Sequence, residues 1–131
     1  MTLWTNWAGN QRTVAARELR PDSADELAAI IRAAAGDGGT VKAVGSGHSF
    51  TPAAITDGTR LFLDALAGPV RVDAATRRVT VGAGTTIRQL NQILAEHGLA
   101  MPNLGDIDAQ TVAGAIATPA RSASRVVVSA S

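Results

Sequence analysis

Apolar residues first fall into helical register after Pro21-Asp22-Ser23-Ala24-Asp25-Glu26, where Leu27, Ile30, Ile31 and Ala34 recur at steps that place them on one face. Ser23, with Glu26 three positions on, has the spacing of a capping box, so the pattern predicts a helix that starts there and ends near Gly36. Thr40-Val41-Lys42-Ala43-Val44 is short, β-branched and set between glycines, and predicts a buried strand leading into a loop from Gly45 to Phe50. After the turn signal Asp57-Gly58, Leu61-Phe62-Leu63 reads as a second strand. Val70–Asp73 and Arg78–Val81 then alternate around a turn at Ala74–Arg77, the pattern of a β-hairpin. Gly82-Ala83-Gly84 leads to Thr86, a candidate N-cap, and Ile87, Leu90 and Leu94 mark one face of a helix that stops before Gly98.

Met101–Asp108 is polar and turn-rich, and it opens Gln110–Thr118, a run of almost wholly small residues. That run predicts either the start of a third helix or extended backbone, with something pressed close against it. Pro119 ends it, and Ala120–Ser131 has neither a cap nor a turn that would finish a domain. Local antiparallel pairing mixed with helices points to an α+β class with small mixed sheets and flanking helices, rather than a regular βαβ array.

Composition narrows the chemistry. A chain of 131 residues, 46% hydrophobic and 18% charged, is expected to fold as one domain. Twelve basic against 11 acidic residues leave a net charge of +1 with no concentrated basic patch, so neither nucleic acid nor a membrane is an expected partner. With no cysteine, disulfides, thiolate metal sites and thiol nucleophiles are excluded, and two histidines leave little for a metal site. Catalysis would need a cofactor or groups outside the chain. The start of the chain lacks a basic segment followed by an apolar one, so a cytoplasmic location is expected.

The Gly45–Phe50 loop carries the first candidate chemistry. Gly45 and Gly47 admit backbone angles that aim successive N–H groups at phosphate oxygens, and Ser46 and Ser49 add hydroxyl donors. An ordinary strand-to-loop turn has the same pattern. His48 is a surface histidine on one reading, a nucleophilic imidazole or cofactor ligand on the other. A rival motif, Gly82-Ala83-Gly84, follows a strand and precedes a helix as in a nicotinamide-dinucleotide fingerprint, but Ile87 stands where the third glycine belongs. In the small-residue run, Gly114, Ala115 and Ala117 would let backbone lie against a pyrophosphate or flavin ring, with Thr111 and Thr118 as donors; close helix packing explains the same residues. Asp106 and Asp108 are a ligand contact and an N-cap, or turn residues. His97, at a helix C-terminus, gains from the helix dipole and receives no functional assignment.

Taken together, Trp4-Thr5-Asn6-Trp7, the Pro21 to Glu26 helix start, Val44-Gly45-Ser46-Gly47-His48-Ser49-Phe50 and Asn103–Ala115 resemble the PCMH-type FAD domain of the vanillyl-alcohol-oxidase superfamily. Within it, they resemble the sugar-lactone and alditol oxidase branch, which includes gulonolactone and arabinonolactone oxidases. The resemblance follows residues 4–118 in order. It implies that Ala43, Val44, Gly45, Ser46, Gly47, His48 and Ser49 wrap the FAD pyrophosphate and ribityl chain. It also implies that Asp106, Thr111, Gly114, Ala115, Ile116, Ala117 and Thr118 line the other side of the cofactor. His48 is the residue it marks for attachment to the 8α-carbon of the flavin, although members with this loop also hold FAD without a bond.

The family continues past Thr118 with a Gly-Thr-His-Gly-Thr-Gly-like run, where this sequence has Pro119-Ala120-Arg121-Ser122. The expectation is therefore residues 1–118 as the N-terminal part of the FAD domain and 119–131 as a divergent tail left by truncation or frameshift, with the substrate domain absent and no catalytic residue to carry over. The implied function is FAD binding in an oxidoreductase acting on a CH–OH group of a small sugar-derived lactone or alditol, inactive as a fragment. The alternatives are an orphan fragment that binds nothing and a nicotinamide-binding module built on Gly82 and Gly84.

Overall fold

The computed structural model describes residues 2–101 and 108–117, and the chain divides into two compact units, the first running to Ala65 and the second beginning at Leu66. The first opens with an antiparallel ribbon of β1 (Leu3–Thr5) and β2 (Arg12–Val14), in register Leu3↔Val14 and Thr5↔Arg12. Next come β3 (Arg17–Leu19), α1 (Ala24–Gly36), β4 (Val41–Val44) and β5 (Thr59–Phe62). The sheet order is β3-β5-β4 with every pair parallel, so the strand last in sequence lies in the middle. A central parallel strand is covered on both faces, and Thr59, Arg60 and Leu61 are all buried. Its entry is tight: a Cβ on Gly58 would lie 2.4 Å from the Thr40 carbonyl oxygen, and the Thr59 N–H donates to that oxygen at 2.8 Å.

Ser23 caps α1 as its sequence predicts, its hydroxyl accepting from the Glu26 N–H at 3.2 Å. The Glu26 carboxylate returns to the N–H of Asp22, one residue before the cap, so the box closes one position early. The helix ends through Gly38 at φ +66, where the Gly39 N–H reaches the Ala34 carbonyl at 2.9 Å.

The second unit holds the expected hairpin, β6 (Pro69–Asp73) and β7 (Arg78–Val81), antiparallel with a bulge between Pro69 and Arg71. Asp73 shapes its turn, its carboxylate accepting from the N–H groups of Ala75 and Thr76. These bonds, that of Thr76 first, hold the Asp73 carboxyl below its ordinary range. α2 (Ile87–Glu96) starts from a complete capping box between Thr86 and Gln89. The small-residue run forms α3 (Val112–Ala117), which settles helix over extended backbone. Leu90, Leu94 and Val112 make the core of this unit, with Val79, Val81, Ile87, Leu99 and Met101 packed around them. The architecture is thus α+β, with small parallel and antiparallel sheets and short helices. Among the described residues no helix is long and apolar enough to cross a membrane.

Candidate cofactor-binding site

β4 ends at Val44, which is buried and anchors the glycine loop to the sheet. Beyond it the loop is held by the tip of the β1–β2 ribbon. The Trp7 N–H donates to the Gly47 carbonyl at 2.8 Å. Asn6, only 5% exposed, donates from Nδ2 to the Ser49 carbonyl at 2.9 Å and to Asn10 Oδ1 at 2.7 Å, while its Oδ1 accepts from the Gln11 N–H. Asn10 and Gln11 both donate to the Phe50 carbonyl. The ribbon therefore takes the carbonyl oxygens of residues 47, 49 and 50. Among the described residues, the N–H groups of Gly45, Gly47 and His48 have no protein partner.

Gly47 sits at φ +69, where glycine is strongly favoured, and a Cβ there would meet Trp4 Cζ2 at 3.3 Å. Trp4 is in turn fixed from β5: the Arg60 guanidinium lies 4.9 Å from its ring centroid. Arg60 is fully buried and pairs with Glu18 of β3 at 2.7 Å, leaving its Nε and Nη2 without a hydrogen-bond partner among the described residues. A column from Glu18 through Arg60 and Trp4 thus supports the loop at Gly47. His48 is half-buried and stacks on Trp7, ring centroids 5.3 Å apart and planes 17° from parallel. Ser49 is exposed, its hydroxyl 2.9 Å from that of Thr51.

The donor set suits a phosphate-bearing cofactor. Residues 43–51 contain no carboxylate to repel it, the N–H groups without a partner among the described residues are main-chain donors, and Ala43, Gly45 and Ser46 are exposed while Gly47 and His48 are half-buried. Trp4, Asn6, Trp7, Asn10, Gln11, Glu18 and Arg60 support the loop without having been assigned to it from the sequence. Three of them stood in the Trp4-Thr5-Asn6-Trp7 signature, which was the available signal. Nothing in the sequence marks Arg60.

In the second unit, Thr111 caps α3: its hydroxyl accepts from the Gly114 N–H at 3.1 Å and its carbonyl from the Ala115 N–H at 2.8 Å. Gly114 is close to that cap, its would-be Cβ 3.0 Å from Thr111 Oγ1, while Ile116 and Ala117 are exposed. Asp108 is not an N-cap. It forms a two-pronged pair with Arg88 of α2 at 2.9 and 3.0 Å, and the donated hydrogen bonds hold its carboxyl below the ordinary range. Asp106 and Thr118 lie outside the described residues.

The rival glycine motif is consumed by packing. The Gly82 N–H donates to the Gly68 carbonyl at 3.0 Å and that of Gly84 to the Leu66 carbonyl at 2.9 Å. A Cβ on Gly82 would lie 2.1 Å from the Leu66 oxygen. These glycines let one stretch of backbone cross another, and their N–H groups are spent doing so.

Against known families, the FAD binding domain matches residues 15–128. The chain belongs to the FAD binding domain family. FAD is accordingly its cofactor. The L-gulono-1,4-lactone dehydrogenase of Mycobacterium tuberculosis is 44% identical over 116 residues, 88% of this chain and 27% of that protein. The alditol oxidase of a Streptomyces species is 40% identical over 119 residues, 89% of this chain and 28% of its own length. The chain thus spans about a quarter of the relatives it matches. The FAD-domain fold is shared with the cholesterol oxidase of B. sterolicum, with a TM-score of 0.77 at 22% identity over 88% of this chain and 23% of that one.

Proposed function

We propose that this chain is the cofactor-holding part of a flavin-dependent oxidoreductase that acts on a CH–OH group of a sugar lactone or alditol. The observation that carries the reading is the glycine loop, whose carbonyl oxygens are clamped by the Asn6–Gln11 ribbon tip while the N–H groups of Gly45, Gly47 and His48 have no partner among the described residues. The substrate class is supported by the names of the sugar-lactone and alditol relatives. Ala43–Ser49 hold the pyrophosphate and ribityl chain. Thr111, Gly114, Ala115, Ile116 and Ala117, with Asp106 and Thr118, are assigned to the same cofactor on the sequence motif. When bound, FAD supplies the hydride acceptor; the protein supplies position and electrostatics. The cysteine-free composition requires no oxidising compartment, in keeping with a cytoplasmic protein.

His48 provides the point of covalent attachment. One of its ring nitrogens bonds to the 8α-carbon; the imidazole N–H hydrogen and one methyl hydrogen are lost, and both pass with their electrons to dioxygen, giving hydrogen peroxide. Intact-protein mass spectrometry after incubation with FAD in air tests this, comparing the wild type with His48→Ala. A gain of one flavin mass in the wild type alone supports the assignment; a gain in both variants removes it from His48. FAD titration then separates non-covalent binding from none.

A further inference from the structure

We infer that Trp7 is the positioning residue for His48. This rests on the flavin reading of the loop and adds a residue to it. The backbone on either side of His48 is fixed, at Gly47 by the Trp7 N–H and at Ser49 by the Asn6 side chain, but neither bond restrains the histidine side chain. The Trp7 indole does: the two rings lie 5.3 Å apart and within 17° of parallel. Trp7 is 69% exposed, so its indole adds little to the core of this unit. The hydrogen bond from its own N–H to Gly47 ties the indole to the residue before the histidine, so ring and loop move together.

An unheld imidazole samples three χ1 wells and roughly two ring orientations, about six placements in all. We take the stacked placement as the one that presents a ring nitrogen to the flavin, so that losing the hold should slow attachment about sixfold.

The test uses the full chain with Trp7→Phe, which keeps a stacking face, and Trp7→Leu, which keeps apolar bulk alone. Without ligand, the ring-proton NMR shifts of His48 should be displaced upfield in the wild type and Trp7→Phe and relax in Trp7→Leu; unchanged shifts in Trp7→Leu overturn the inference. With FAD in air, the rate of acid-stable flavin gain should fall about sixfold in Trp7→Leu and recover in Trp7→Phe. Equal rates in all three remove Trp7's role and leave the flavin reading intact. Absence of any flavin bond in the wild type overturns both the attachment at His48 and the role of Trp7 in it, while FAD titration still reports separately on the loop.

Discussion

Replacing Gly47 with alanine tests the support of the glycine loop most directly, because two separable penalties meet at that residue. An alanine held at φ +69 pays the left-handed cost of about 1–2 kcal/mol. Its Cβ would also stand 3.3 Å from Trp4 Cζ2, close enough that the indole must retreat by a few tenths of an ångström. The Arg60 guanidinium against the same ring restricts that retreat, so a further contribution of about 1 kcal/mol is expected, the low end of overpacking penalties. Gly38 supplies the control: its φ is +66, and nothing lies within 4 Å of a Cβ there. Gly38→Ala should therefore show the backbone cost alone. The difference of about 1 kcal/mol separates the two melting temperatures by about 4–8 °C for a unit of this size. Thermal denaturation followed by circular dichroism measures it, and FAD titration should show weaker binding in Gly47→Ala than in Gly38→Ala. Equal melting temperatures and equal affinities would refute the support of Gly47 by Trp4.

Three further outcomes follow from the geometry. Glu18→Ala strands a fully buried arginine and should cost about 3–5 kcal/mol, whereas Arg60→Met, which leaves Glu18 able to reach water, should fall within about 1 kcal/mol of the wild type in urea denaturation; equal losses would contradict the one-sided burial. Gly82→Ala should destabilise by about 3 kcal/mol, since its Cβ would meet main chain rather than a side chain that can turn away, and NAD should not protect the wild type against thermal unfolding. The lowered carboxyl of Asp108 contributes stability that is present above the ordinary aspartate value of about pH 4 and is lost as pH falls through its lower folded value. Asp108→Asn should flatten that part of the acid-unfolding curve, an effect that added salt shrinks because both partners are exposed.

The sequence made legible those elements whose signals are local. Ser23 and Thr86 announce their helices because a capping hydroxyl acts on N–H groups only a few residues away. The β6–β7 hairpin is readable because alternation and turn fall within one short window. β1, β2 and β3 are three residues each, too short for any period to show, and their partners lie at a distance: Arg17 pairs with Thr59. The all-parallel order β3-β5-β4 is hidden for the same reason. At the site, the glycines and His48 stood out by residue type, but the clamp by Asn6 and the burial of Arg60 depend on contacts more than 40 residues apart. The two-glycine motif at Gly82 misled in the opposite direction, because a tight backbone crossing and a phosphate cradle call for the same residue.

The placement of β5 between β3 and β4 carries a consequence for assembly. The two outer strands are joined through α1 and precede β5 on the chain, yet neither pairs with the other. Neither can join the three-stranded sheet without residues 59–62 between them. The glycine loop lies within the stretch that joins β4 to β5, so both of the strands that flank it belong to that sheet. The sheet that carries the cofactor loop is therefore complete only with β5, the strand that follows the loop on the chain, so the loop and the strand that closes the sheet are tied together in sequence as well as in space.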